Sequence, residues 1–417
     1  MEYQDQLFLQ ALKASLENKK VQWETKLQPE DWLALFQLAE EHQVLPMIYQ
    51  AVYDCPAARE AGQQLFMPFK RSTMQTVMLQ TMKTSEFLGL YQHLKNAGIT
   101  PVVVKGIICR ELYPNPDCRL SSDEDILIPP EQFLLCHDTM MECGMALSEP
   151  EQDIDAAYEV PYGKPGSPIY IELHKSLFPP DSEAYGDFNR FFTGVHERMI
   201  EVPIQGTSVF TMAYTDHLFY LICHAFKHFL HSGFGIRQVC DIVLFANTYG
   251  AQIDWVRVLE NCREIHAELF TAALFQIGQN CLTFDPDKAC YPDAWRALQV
   301  AEGAMLNDLL ASGVYGDSDM SRKHSSNITL NAVSAQKQGK KAGNGVLKTV
   351  FPPAKALEGR YPYLKEKLYL LPVAWANRIL HYKKETQNST KAGNNAADAI
   401  KIGNERIELM KQYGILK

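Results

Sequence analysis

Three acidic residues carry the chemistry that can be read from this chain. In PVVVKGIICRELYPNPDCRLSSDEDILIPP, residues 101–130, Asp123 and Asp125 sit two apart in a run whose apolar followers read as a β-strand. Strand side chains alternate faces, so the two carboxylates share one side while Glu124, Ile126 and Ile128 take the other. Glu172 lies in a second strand-like run, IYIEL, on a face with Tyr170 and opposite Ile169, Ile171 and Leu173. Carboxylates gathered on one surface repel one another unless a cation sits between them, and hard divalent ions take oxygen ligands. The expected occupant is Mg²⁺ or Mn²⁺ held by Asp123, Asp125 and Glu172.

Such a site suits phosphoryl or nucleotidyl transfer, which needs positive charge on the phosphate oxygens and on the attacking oxygen. The strand before the acids ends on Lys105-Gly106. A tight turn there offers backbone N–H groups and an ammonium to a phosphate, although a lysine in that place can also lie along the surface with its charge in water. Arg119 could neutralise a leaving phosphate or pair with the acids. Ser121 and Ser122 could bond phosphate or simply end the turn.

The elements that must position these groups follow from periodicity. Residues 1–84 read as helical, with Leu9, Leu12 and Leu16 on one face and Trp32, Leu35, Phe36 and Ala39 on another. A further helix spans about 73–97 and stops at Gly98. Beyond Asp125 come a short helix near 131–143 and two strand runs, 157–162 and 168–173, joined by Gly-Lys-Pro-Gly as a hairpin. The pattern from about 211 returns to helices. The fold class is α+β: a small mixed sheet within 85–205, between helical regions at 1–84 and 206–417.

A lone Asp-x-Asp at a strand end is commonly a solvated edge pair, so the weight rests on order. Strand, Lys-Gly, helix, Arg119, Ser121-Ser122, Asp-x-Asp, hairpin and Glu-Leu-His together resemble the uncharacterised bacterial nucleotidyltransferases of the DNA polymerase beta-like superfamily. The resemblance is specific at VVVKG, LYPNPDCRLSSDEDILI and IELH, and looser at HAFKH…RQVCDI and FPP…RYPYL…LLPVAWANR. It implies a minimal nucleotidyltransferase sheet, an NTP as substrate, Asp123 and Asp125 as metal ligands and Glu172 as the third carboxylate. The chain departs from the superfamily in having Lys105-Gly106 where Gly-Gly or Gly-Ser is usual, and a wider spacing to the acids.

The remaining features are weighed on the same terms. His224, His228 and His231 fall on one helical face; the pair His224/His228 could ligate zinc, or the helix could cap the cleft with His174 facing it. Arg237 and Asp241, four apart, read as a helix ion pair. Residues 321–350 carry lysines and arginines without an acid, among Ser, Asn and Gly, and read as a mobile basic loop. No P-loop, dinucleotide fingerprint or GxSxG is present.

Composition narrows the class. A formal charge of −9 argues against nucleic acid as a general partner. Ten cysteines without a CxxC pair, no secretory leader and no apolar run long enough to span a bilayer point to a reduced, cytoplasmic protein away from membranes. The function expected is metal-dependent transfer of an NMP group from an NTP to an unidentified small-molecule or protein acceptor. Two alternatives stand beside it: a catalytically degenerate nucleotide- or partner-binding protein on the same scaffold, and an antitoxin-like protein-modifying enzyme.

Overall fold

Short β-branched runs bounded by Gly and Pro form the sheet of this protein, seen in a computed structural model that describes residues 2–314, 320–339, 354, 357, 361–365, 367–377 and 396–417. The strands are β1 (Val102–Val104), β2 (Glu124–Leu127), β3 (Ala146–Leu147), β4 (Glu159–Gly163), β5 (Tyr170–His174), β6 (Ile200–Ile204) and β7 (Thr207–Thr211). Their order across the sheet is β3-β4-β5-β2-β1-β7-β6. The sheet is mixed: β1 runs antiparallel to β2 and parallel to β7, and β2 runs parallel to β5. The α+β architecture with helical flanks is the one expected, and β4 and β5 form the hairpin read at Gly-Lys-Pro-Gly.

Alternation divides the sheet into two faces. Val103, Ile126, Ile171 and Leu173 pack with Phe87 and Tyr91 of the Gln63–Asn96 helix and with Phe133 and Met140 of the Phe133–Glu142 helix. Val102, Val104 and Leu127 face the other way and join Leu218, Leu221 and Ile222 of the Tyr214–His231 helix. Each such buried aliphatic side chain contributes roughly 1.5–3 kcal/mol relative to exposure. That burial anchors the sheet firmly enough for charged groups to occupy the end of the Tyr214–His231 side.

The N-terminal helices Tyr3–Leu16 and Pro29–Glu41 bury the apolar stripes read from sequence, including Leu9, Leu12, Leu16, Trp32, Leu35 and Phe36. His42 ties them to the rest: its ring is fully buried, Nε2 faces the Leu310 carbonyl at 3.2 Å, and Nδ1 accepts from Ile236 N at 3.4 Å.

One expectation is corrected here. Much of the stretch read as a basic loop at 321–350 is a helix, Met320–Lys337, and residues 340–350 lie outside the described part. Its Arg322 pairs with Asp308 at 2.6 Å and donates from Nε to the Ser232 carbonyl at 2.7 Å. Arg406, on the Ala396–Gln412 helix, donates from Nη1 to the His231 carbonyl at 2.9 Å. Two guanidinium groups thus satisfy the carbonyl end of the Tyr214–His231 helix, where the dipole favours positive charge. The absence of acids within the segment hid this, because its acidic partner comes from elsewhere in the chain. Among the described residues no helix is long and apolar enough to cross a membrane.

Candidate active site

The parallel register of β2 and β5 builds the site. Asp125 stands beside Glu172, and Leu127 beside His174, so alternation turns Asp125, Glu172 and His174 to the same face. His174 Nε2 lies 3.0 Å from Asp125 Oδ1 and 3.8 Å from Glu172 Oε2. Lys105 closes the group from the end of β1, its Nζ 2.9 Å from Asp125 Oδ2 and 3.1 Å from His224 Nε2 on the Tyr214–His231 helix.

The Lys105-Gly106 turn is fixed by local chemistry. Lys105 holds φ +53° and ψ −127°, a conformation L residues rarely adopt. Its backbone N–H donates to His217 Nε2 at 3.2 Å; burial keeps that imidazole neutral by lowering its pKa to about 3. Gly106, at φ +35°, has no room for a Cβ, which would collide with Glu124 Oε2. Glu124 is completely buried on the opposite side of β2, where it accepts from Ile107 N at 2.7 Å and pairs with Arg110. Lys83 donates to the Ser121 and Ser122 carbonyls at 2.6 and 2.7 Å, holding the approach to β2.

Electrostatics separate the two central carboxylates. Burial alone would raise the Asp125 carboxyl, but the Lys105 ammonium and the His174 hydrogen bond outweigh it and hold the group well below the usual range. At Glu172 burial and the charges of Asp125, Asp123 and Glu159 outweigh the weaker pull of Lys105 and push the carboxyl up to about 8. Burial, helped by Lys105, drives His224 well below an ordinary histidine; burial and Lys227 do the same to His228. Both rings are neutral.

Two cavities meet at this cluster. The larger, about 400 Å³, is lined among others by Tyr158, Tyr170, Glu172, His174, Lys227 and His228, within the size range of ligand clefts (~300–1,000 Å³). The smaller, about 30 Å³, is lined by Gly106, Arg119, Ser121 and Arg237 among others. Lys105, Asp123, Asp125 and His224 line both.

The donor set fits a divalent cation. Asp125, Glu172 and His174 each present one ligand atom, all within 4.8 Å of one another. Asp125 Oδ2 is buried and already faces one cation, the Lys105 ammonium at 2.9 Å, so the position is one that positive charge occupies. Two carboxylates and an imidazole suit Mn²⁺ or a similar ion at least as well as Mg²⁺, which prefers oxygen throughout. Asp123 stands outside this cluster: it precedes β2, lines both cavities and accepts from the Ser122 hydroxyl at 3.2 Å.

Other expected groups are placed differently. Arg119 is turned to Asp241, donating from Nε at 3.2 Å and Nη2 at 2.5 Å, and Tyr113 adds its hydroxyl at 2.7 Å. The helix pair read for Arg237 and Asp241 is therefore corrected: Arg237 donates to Gln43 Oε1 at 2.9 Å and to the Leu120 carbonyl, because Asp241 faces inward to the loop that brings Arg119. The Ser121 hydroxyl accepts from Arg110 at 2.7 Å. His231 Nδ1 faces the Ser232 hydroxyl at 3.3 Å, and the ring does not line the larger cavity. Lys227 was missed although helical spacing puts it on one face with Tyr220, His224 and His228, all lining the cleft.

Clustered acids on adjacent strands of a mixed sheet, beside lysines and a cleft, form a site suited to a divalent cation and a phosphate-bearing substrate. The model of a family described as uncharacterised nucleotidyltransferases matches residues 28–282, more than half of the chain, and the protein belongs to that family. No curated protein and no solved structure gives a significant match.

Proposed function

We propose that the protein transfers a nucleoside monophosphate from an NTP to a hydroxyl or phosphate acceptor, in a reaction that depends on Mg²⁺ or Mn²⁺. The observation that carries this reading is the convergence of Asp125, Glu172 and His174 within 4.8 Å beside a cleft of about 400 Å³. Asp125 and Glu172, with His174 and with Asp123 at the cleft edge, would hold the ion. When bound, it supplies positive charge to the phosphate oxygens.

The chain's own groups do the rest. In the metal-free cleft burial and the neighbouring acids raise the Glu172 carboxyl, and a cation bound there would offset that repulsion and hold Glu172 as an anionic ligand. Lys105 and Lys227 offer positive charge to the polyphosphate, and Gly106, Ser121 and Ser122 shape the turn it approaches. Arg119, paired with Asp241, forms part of the wall of the small cavity. Positioning and charge account for catalysis of this kind.

The test is pyrophosphate release from each common NTP with Mg²⁺ or Mn²⁺, alongside transfer of label from an α-labelled NTP to components of a soluble extract. Release that disappears in Asp125→Asn supports the proposal; the absence of both release and transfer under every condition sinks it. The Lys105–Asp125 ion pair favours one other reading, a degenerate scaffold that binds nucleotide without chemistry. Calorimetric NTP binding with neither release nor transfer would select it.

A further inference from the structure

Lys105 occupies an unusual position for its side chain. The backbone there takes a conformation that glycine adopts at less cost, and it is pinned from below by His217. The side chain is only 14% exposed, and its ammonium lies 2.9 Å from the buried Asp125 Oδ2, the oxygen that faces away from His174. A second acceptor, His224 Nε2, lies 3.1 Å from the same nitrogen. We propose that Lys105 makes metal binding conditional on nucleotide: its ammonium fills the cation position at Asp125 in the free protein and leaves it for polyphosphate when NTP arrives.

The physical reason is competition. A lysine ammonium and a divalent ion cannot share one buried carboxylate oxygen without strong mutual repulsion, so either one must yield. His224 Nε2, 3.1 Å from the ammonium and 3.3 Å from His228 Nε2, gives Lys105 a second polar neighbour once Asp125 is taken. The lysine lines the large cleft, where a polyphosphate would find its ammonium and that of Lys227.

This inference rests on the metal-dependent reading above, and the experiment separates the two. Mn²⁺ is titrated calorimetrically into the full chain, with and without imido analogues of ATP and GTP, for wild type, Lys105→Met, Lys105→Gln and Lys105→Arg, each checked for a cooperative melt. Wild type should bind Mn²⁺ weakly alone and more tightly with an analogue. Whichever neutral variant folds should bind Mn²⁺ alone roughly tenfold or more tighter than wild type, with little further gain from the analogue, and Lys105→Arg should behave as wild type. A folded neutral variant that binds Mn²⁺ no more tightly than wild type overturns the proposal while leaving the metal-dependent reading intact. If no protein binds Mn²⁺ under either condition, both fall together.

Discussion

Asp125 and Glu172 share one rung of two parallel strands, yet their environments drive them to opposite ionisation: Asp125 is held as the anion by Lys105 and His174, while Glu172 is pushed up to about 8. Two acids crowded onto one buried rung with unlike partners mark a place where a cation would relieve repulsion, and Asp125 is the one whose charge is already held. Asp125→Asn should therefore lower metal-dependent NTP turnover by roughly two to three orders of magnitude, the scale seen when a preorganised charge is lost. The measurement is pyrophosphate release at saturating NTP; activity equal to wild type would remove Asp125 from the mechanism.

Glu172 also predicts a stability slope. Its carboxyl is near 8 in the fold against an ordinary 4.5, so the folded protein binds more protons than the unfolded chain between those values. Stability of the metal-free protein accordingly falls as pH rises through that window. Glu172→Gln removes this contribution, and thermal melts in chelator should show the variant gaining on wild type as pH approaches about 8. Parallel melting curves across the window would contradict the raised carboxyl.

The buried Arg119–Asp241 pair is bidentate, with Tyr113 donating to the same carboxylate. Removing one partner strands the other charge, which costs about 3–5 kcal/mol. Asp241→Ala should lower the unfolding free energy by that amount in urea titrations. The double variant Arg119→Met, Asp241→Leu should recover most of the loss, and no recovery would assign the effect to packing.

His42 sets a second pH window, with the opposite sign. Burial depresses its ring to about 4 from 6.5, so the unfolded chain binds more protons between these values and stability is lost as pH falls through them. His42→Gln should flatten that part of the acid limb, read as the urea midpoint at about pH 6.5 and about pH 4.5. An unchanged slope would remove His42 from the acid limb and assign it to other buried groups such as His217.

Much of the site could be read before any coordinates because strand alternation is local. Two residues apart in a strand means one face, so Glu172 and His174 could be placed together by counting, and the α+β order followed from the same periodicities; Asp123 precedes β2, so counting did not settle its place. The Lys-Gly turn was legible too, since a lysine and a glycine ending a strand mark an unusual backbone.

What the tertiary structure decided was partnership. The cluster that gathers around Asp125 is Glu172 and His174, with Asp123 at its edge, because the register of β2 on β5 is fixed by hydrogen bonds between segments far apart in the chain. Arg119 goes to Asp241, Lys105 to Asp125, and Arg322 to Asp308 for the same reason. Residue type and spacing determine which groups share a face, since that depends only on neighbouring dihedral angles. Which charge meets which is settled when buried ions must find the partner that folding brings within reach, and spacing along the chain carries no record of that distance.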